Sequence, residues 1–180
     1  SSGDIKFVPK YRFYKNQTQA IALKGELVLP TGSRPNADKV VDYSTGDGQV
    51  DLGGFLIWDQ NYPVQYIKNL SITSLVGYVA QLPDQLERRI PKVSGESLSN
   101  QKESVSRNLG DKVEAAGLVT LGNQSQGFSG GTGYDYQYMR QTRYAGSQFE
   151  SQRYAMLEDL SPDQSLHSFL VRASFSTIGY

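Results

Sequence analysis

Hydrophobic and polar residues alternate singly along much of this chain. Over residues 20–29, Ile21, Leu23, Leu27 and Leu29 share one parity, and Lys24 and Glu26 take the other. Over 49–59, Val50, Leu52, Leu56 and Trp58 oppose Asp51 and Asp59. Successive side chains of a strand leave opposite faces, so a period of two predicts strands with one apolar and one charged face. Five further segments read the same way. Over 5–14, Ile5, Phe7, Tyr11 and Phe13 oppose Lys6, Lys10 and Arg12; Pro9 removes a ladder donor there and predicts an edge or a bulge. Over 65–79, Tyr66, Leu70, Ile72, Val76 and Tyr78 oppose Asn69, Ser71 and Thr73. Over 111–121, Val113, Ala115, Val119 and Leu121 oppose Lys112, Glu114 and Thr120. Over 128–139, Phe128, Tyr134, Tyr136 and Tyr138 oppose Ser129, Asp135 and Gln137. Over 166–177, Phe169, Val171, Ala173 and Phe175 oppose Arg172, Ser174 and Ser176.

The connections between these segments alternate in length. Links at 15–19, 60–63 and 122–126 are short, whereas those at 33–48, 80–110 and 140–164 are long and polar. A soluble sandwich has no reason to sort its loops by end, but an outer-membrane barrel has tight turns on one side and long loops on the other. Strands of about 10 residues also suit a tilted crossing of the hydrocarbon layer. The predicted fold is therefore all-β, an antiparallel transmembrane β-barrel, with 1–180 as part of a single barrel domain and the long loops outside. A soluble β-sandwich with one wet face is the alternative. The first segment starts on the long-loop side and the segments are odd in number, so further strands are expected before Ser1 and after Tyr180.

Composition narrows the classes. Eighteen basic and 18 acidic residues cancel, which leaves no basic footprint for nucleic acid. There is no cysteine for a disulfide or thiolate site, and one histidine, His167, cannot build a multi-histidine metal centre. No apolar run is long enough for a transmembrane helix. Twelve tyrosines and 18 glycines suit a β protein with amphipathic aromatic rims.

Three short motifs carry a family likeness. Leu29-Pro30-Thr31-Gly32 at a strand end, Gly46-Asp47-Gly48-Gln49-Val50-Asp51-Leu52-Gly53, and Leu109-Gly110-Asp111-Lys112-Val113-Glu114 entering a strand resemble the bacterial outer-membrane meta-pathway phenol-degradation proteins. The resemblance spans about Tyr11 to Tyr138 and departs from the family in a long insertion over 81–107. It implies a barrel akin to outer-membrane transporters of hydrophobic compounds, and it carries over no catalytic residue.

The candidate lumen-lining residues are Lys6, Lys10, Arg12, Lys24, Glu26, Asp51, Asp59, Lys112, Glu114, Asp135 and Arg172. They read either as a generic wet wall or as an electrostatic constriction. The candidate interfacial aromatics are Tyr14, Trp58, Tyr66, Tyr78, Tyr134, Tyr136 and Tyr138, whose amphipathic rings suit the headgroup layer. Three alternating tyrosines also fit a slide for a hydrophobic ligand. Ser147-Gln148-Phe149-Glu150 has capping-box form, and Phe149, Met156, Leu157 and Leu160 follow at near-helical spacing, predicting a short helix that acts as a plug or packs on a loop. Residues 83–90 read as a helical turn, with Arg88 and Arg89 as candidate holders of lipopolysaccharide phosphates. Asp42, Ser44, Asp47 and Asp51 are oxygen donors near glycines, without the spacing of a calcium loop. His167 and Ser168 cannot pair directly, because neighbours on a strand face opposite ways.

The expected function is a channel or transporter in the bacterial outer membrane for small hydrophobic or aromatic compounds, without chemistry, metal or cofactor. Expected partners are membrane lipid, lipopolysaccharide and the solute, with no nucleic acid. A closed structural barrel whose long loops bind other proteins is one alternative, and the soluble binding module is another.

Overall fold

A computed structural model describes residues 3–34, 36–38, 45–64, 69–93, 99–123 and 128–175. The chain is mostly antiparallel β, and its main sheet is curled into a half-barrel. That sheet holds β1 (Ile5–Phe7), β2 (Lys10–Lys15), β3 (Gln19–Leu29), β4 (Asp51–Tyr62), β5 (Asn69–Gln81), β8 (Lys112–Asn123), β9 (Phe128–Met139) and β11 (Gln164–Phe175). Its order is β1-β3-β4-β5-β8-β9-β11, with β2 also on β3. The first predicted segment is thus two short strands on one edge. Pro9 separates them and its carbonyl accepts from Gly25 N at 2.8 Å, while the register slips between Arg12 and Tyr14. The slip leaves Phe13 as the extra residue and puts Tyr14 on the same face as its partner Ile21.

Cross-strand pairing preserves the two faces. Leu23 pairs with Leu56, Leu56 with Val76, and Val76 with Ala115. The buried apolar residues of this sheet, Ala22, Phe55, Ile57 and Val79, all lie on the charged parity. The opposite parity keeps large apolar groups exposed, including Leu23, Leu56, Val76 and Phe169. The charged face is therefore the concave one. Leu27, Val50, Val119 and Phe175 form no common dry interior: Val119 is 37% exposed and Phe175 79%.

The long excursions are not simple loops. Residues 84–89 form strand β6 (Asp84–Arg89), not the helical turn expected there. Leu86 and Ile90 sit four apart, a spacing that fits a helix face and a strand face equally, and pairing with β7 (Lys102–Asn108) decides it. β10 (Arg143–Ala145) joins the other edge of β7, so the small sheet β10-β7-β6 repeats the order β9-β8-β5. Three neighbouring strands of the half-barrel, β5, β8 and β9, continue outward past a bend. Pro83 lacks the amide for an unbroken ladder, and Gly110 bends with φ +92° where a side chain would meet the Arg140 backbone. Helix α1 (Ser151–Glu158) covers the small sheet, whose core is Ile90, Val105, Tyr144, Tyr154 and Leu157 with Phe149 packed against it. The helix begins just after the Ser147–Glu150 pattern: Glu150 is its N-cap and makes no side-chain cap bond. Of the residues expected on its apolar face Leu157 is buried and Phe149 packs on the same core, whereas Met156 is half-buried, Leu160 is exposed, and Tyr154 completes the buried face.

Candidate functional site

The concave face can be followed row by row across the strands. In one row Lys10 pairs with Lys24, Lys24 with Phe55, Phe55 with Gly77, and Gly77 with Glu114. In the next, Arg12 leads through Ala22, Ile57, Leu75 and Ala116 to Asp135. Toward the long-loop end, Glu26 leads through Gly53 and Val79 to Lys112. Toward the short-turn end lie Lys15, Asp59 and finally Arg172 opposite Gly131. All eleven residues expected to line a lumen have this parity. Lys6, Lys24, Glu26, Asp51, Lys112 and Glu114 border one cavity of about 600 Å³ just inside the bend, while Lys10, Arg12, Asp59, Asp135 and Arg172 lie on the face outside it. The cavity also touches Gln164 and Leu166. Lys6 is on β1 and Leu166 on β11, at opposite edges of the sheet, so the curl is deep enough for both edges to reach one space.

Charges here are partly paired. Lys6 Nζ lies 2.6 Å from Glu26 Oε1, and Lys24 Nζ 4.0 Å from Glu26 Oε2. Lys112 Nζ is 3.9 Å from Asp51 Oδ2, and Gln81 Nε2 donates to Asp51 Oδ1 at 3.1 Å. Thr73 donates to Asp59 at 2.7 Å. Lys24 Nζ also stands 3.6 Å from the centroid of the Phe55 ring, a cation–π contact. Phe55 is 3% exposed because it lies over Gly77, where any side chain would collide with the ring. Lys15 and Phe55 were not among the residues singled out from the sequence. The signal for Phe55 was present: an aromatic at the parity of Asp51 and Asp59, with glycine at 53 and 77.

The aromatics face the other way. Tyr14, Trp58, Tyr78 and Tyr134 are each more than 40% exposed on the convex side, and Tyr136 and Tyr138 share their face. Tyr66 lies outside the described residues. Two of these hydroxyls reach the long-loop side: Tyr78 donates to Asp111, and Tyr138 donates to Asp163 Oδ2 at 2.6 Å. The Tyr138 hydroxyl, then the Gln141 N–H, hold the Asp163 carboxyl below its ordinary range. Tyr134 Oη is 2.6 Å from His167 Nδ1, so the histidine is engaged on the convex face, away from Ser168.

No family model and no curated protein matches the chain.

Above the cavity the excursions are tied together. Arg107 and Asp84 form a buried ion pair at 3.0 Å, which Gln49 Nε2 joins by donating to Asp84 Oδ1 and to the Arg107 carbonyl, each at 3.0 Å. Arg107 also donates to the Asp47 carbonyl. Asp47 Oδ1 accepts from Gln49 N at 2.9 Å, which is turn chemistry. Asp42 and Ser44 lie outside the described residues, and no acidic cluster able to hold a metal occurs among those described. Arg89 donates to Ala37 O at 2.7 Å and to Ser99 O at 2.8 Å and pairs with Asp38, so it is held inside the cap. Arg88 stands over the Tyr144 ring. The Glu103 carboxylate accepts from Ser147 N, Gln148 N and the Tyr154 hydroxyl. Burial pushes this carboxyl up, but these hydrogen bonds together outweigh it and hold it below its ordinary range.

Proposed function

We propose that this chain forms the wall of an outer-membrane β-barrel through which small hydrophobic or aromatic compounds pass, with no chemistry and no cofactor. The observation that carries the reading is the inversion of faces. Large apolar side chains stay exposed on the convex side, and the charged alternates surround a cavity on the concave side. In water a sheet face of exposed large apolar side chains is unusual for a soluble monomer. Against acyl chains it is the expected surface, and the polar interior meets water. Tyrosines whose hydroxyls reach aspartates at the long-loop end suit the membrane–water boundary. Among the described residues no second sheet covers the apolar face, which weighs against a soluble sandwich. The likeness of residues 29–32, 46–53 and 109–114 to the meta-pathway proteins supports the same direction.

A closed barrel that serves as a docking platform is the second reading. It is favoured by the cap: three excursions joined by a sheet, a helix and a buried ion pair make a rigid outer surface. Conductance separates the two. The full chain reconstituted in planar bilayers is expected to give discrete currents and to admit aromatic solutes into vesicles. Silent bilayers would leave the docking reading, and recovery in buffer without detergent would remove both.

A further inference from the structure

Beyond the tyrosines of the convex face, at the bend around Gly110, lies a small cleft. It measures about 90 Å³, and Asn108, Asp111, Arg140 and Arg143 border it. Arg140 continues the register of β9: its N–H donates to Asp111 O at 3.0 Å, just past the Val113–Tyr138 pair. Arg143 opens β10 on the other side of the bend. Both arginines are exposed, and among the described residues neither guanidinium makes a hydrogen bond or an ion pair. Two carboxylates stand beside them, Asp111 on the cleft and Asp163 within reach of both charges. These carboxylates are already engaged. Asp111 accepts from the Tyr78 hydroxyl and from Gln81 N, and Asp163 accepts from the Tyr138 hydroxyl and from Gln141 N. The four charges cancel at a distance, so recognition here works by contact: a guanidinium forks onto two oxygens of one phosphate.

An apolar groove adjoins the cleft. It holds about 690 Å³ on the convex face, walled by Leu23, Leu56, Val76, Tyr78 and Val113 over Gly54. Tyr78 belongs to both spaces. Its ring walls the groove, and its hydroxyl donates to the Asp111 that borders the cleft. Gly54 has no positive φ, and a Cβ there would meet nothing within 4 Å. Neither the backbone nor packing within the chain calls for glycine at this place. In a strand interior such a glycine marks close approach by something from outside. Tyrosine hydroxyls sit at headgroup depth, so the cleft lies in the layer of lipid phosphates and the groove among acyl chains. We infer that cleft and groove form a site for one phosphorylated lipid of the leaflet on the long-loop side. Arg140 and Arg143 take the phosphate, and an acyl chain lies over Gly54. A free phosphate would leave the groove empty, and an acyl chain alone would leave the arginines unused.

The site rests on the convex face meeting lipid, and the test tells the two apart. The full chain in dodecyl maltoside micelles is titrated with dipalmitoyl phosphatidylglycerol, and bound lipid is counted by native mass spectrometry. Dipalmitoylglycerol, with the same chains and no phosphate, and inorganic phosphate are the comparison probes. One phosphatidylglycerol is expected per chain, held about tenfold or more tighter than the diglyceride. Arg140→Gln/Arg143→Gln is expected to bring the phospholipid down to the level of the diglyceride. Gly54→Leu fills the groove and is expected to weaken both lipids by about tenfold. Equal binding of the two lipids, or a phospholipid affinity unchanged in either variant, would overturn the inference. So would inorganic phosphate bound as tightly as the phospholipid, which leaves an adventitious ion only. If a variant fails to fold, the two lipids compared on the parent chain decide alone. Silent bilayers with these affinities intact would remove the channel and keep the site, whereas recovery in buffer without detergent would overturn both.

Discussion

Placing an arginine at Val76 puts the membrane reading under direct load. Val76 is 53% exposed on the convex face of β5, between Leu56 and Ala115. In water an exposed valine tolerates arginine within about 0.5 kcal/mol. In a bilayer the outcome depends on depth. A strand rises about 3.4 Å per residue, or about 2.6 Å along the membrane normal at a tilt of about 40°. β5 spans Asn69–Gln81, so its midpoint is Leu75 and Val76 sits about 3 Å from the midplane. Arginine on the lipid face there costs about 2–4 kcal/mol. Leu70, five residues from the midpoint on the same face, lies about 13 Å out, at the edge of an apolar band about 25 Å tall, where the cost falls to about 0–1 kcal/mol. Val93 is 63% exposed in the excursion beyond β6 and serves as the water-facing control, with no expected change. Guanidinium unfolding of the full chain in phospholipid vesicles, followed by the fluorescence of Trp58, reads all three variants. Equal stabilities for Val76→Arg and Val93→Arg would refute the assignment of the convex face to lipid. So would equal costs at Val76 and Leu70.

Breaking the buried Asp84–Arg107 pair by Arg107→Ala leaves an uncompensated carboxylate and is expected to cost the cap about 3–5 kcal/mol, whereas Asp84→Leu/Arg107→Met costs less; hydrogen exchange over residues 84–107 measures both. Glu103 titrates below its unfolded value, so its contribution to the cap is complete above the ordinary carboxylate range and is lost as pH falls through the folded value. Tyr154→Phe removes one of the hydrogen bonds opposing burial and should move that acid transition to higher pH, seen as limited proteolysis of the cap against pH. Gly77→Ala drives a methyl into the Phe55 ring and should cost about 1–3 kcal/mol, while Gly54→Ala, with open space at its Cβ, should be neutral or stabilise by up to about 1 kcal/mol; vesicle unfolding separates the two.

What the order of residues determined by itself was parity and loop length. Lys24 and Glu26 oppose Leu23 and Leu27 in any strand, because the pleat turns alternate side chains to opposite faces whatever the strand packs against. Six of the seven alternating segments became single strands of the curled sheet, and the seventh was divided at Pro9, the residue whose missing amide marked it. Tertiary structure alone decided the cap. Asp84-Gln85-Leu86-Glu87-Arg88-Arg89 satisfies both a helical and an extended spacing, and only Val105 opposite Leu86, with Tyr154 and Leu157 closing over that core, selects the strand. The curl was equally hidden. Alternation says that Lys10 and Glu114 share a face, but the distance between them is set by the number of strands in between and the bend of the sheet. Neither quantity is local, so no window of sequence contains it.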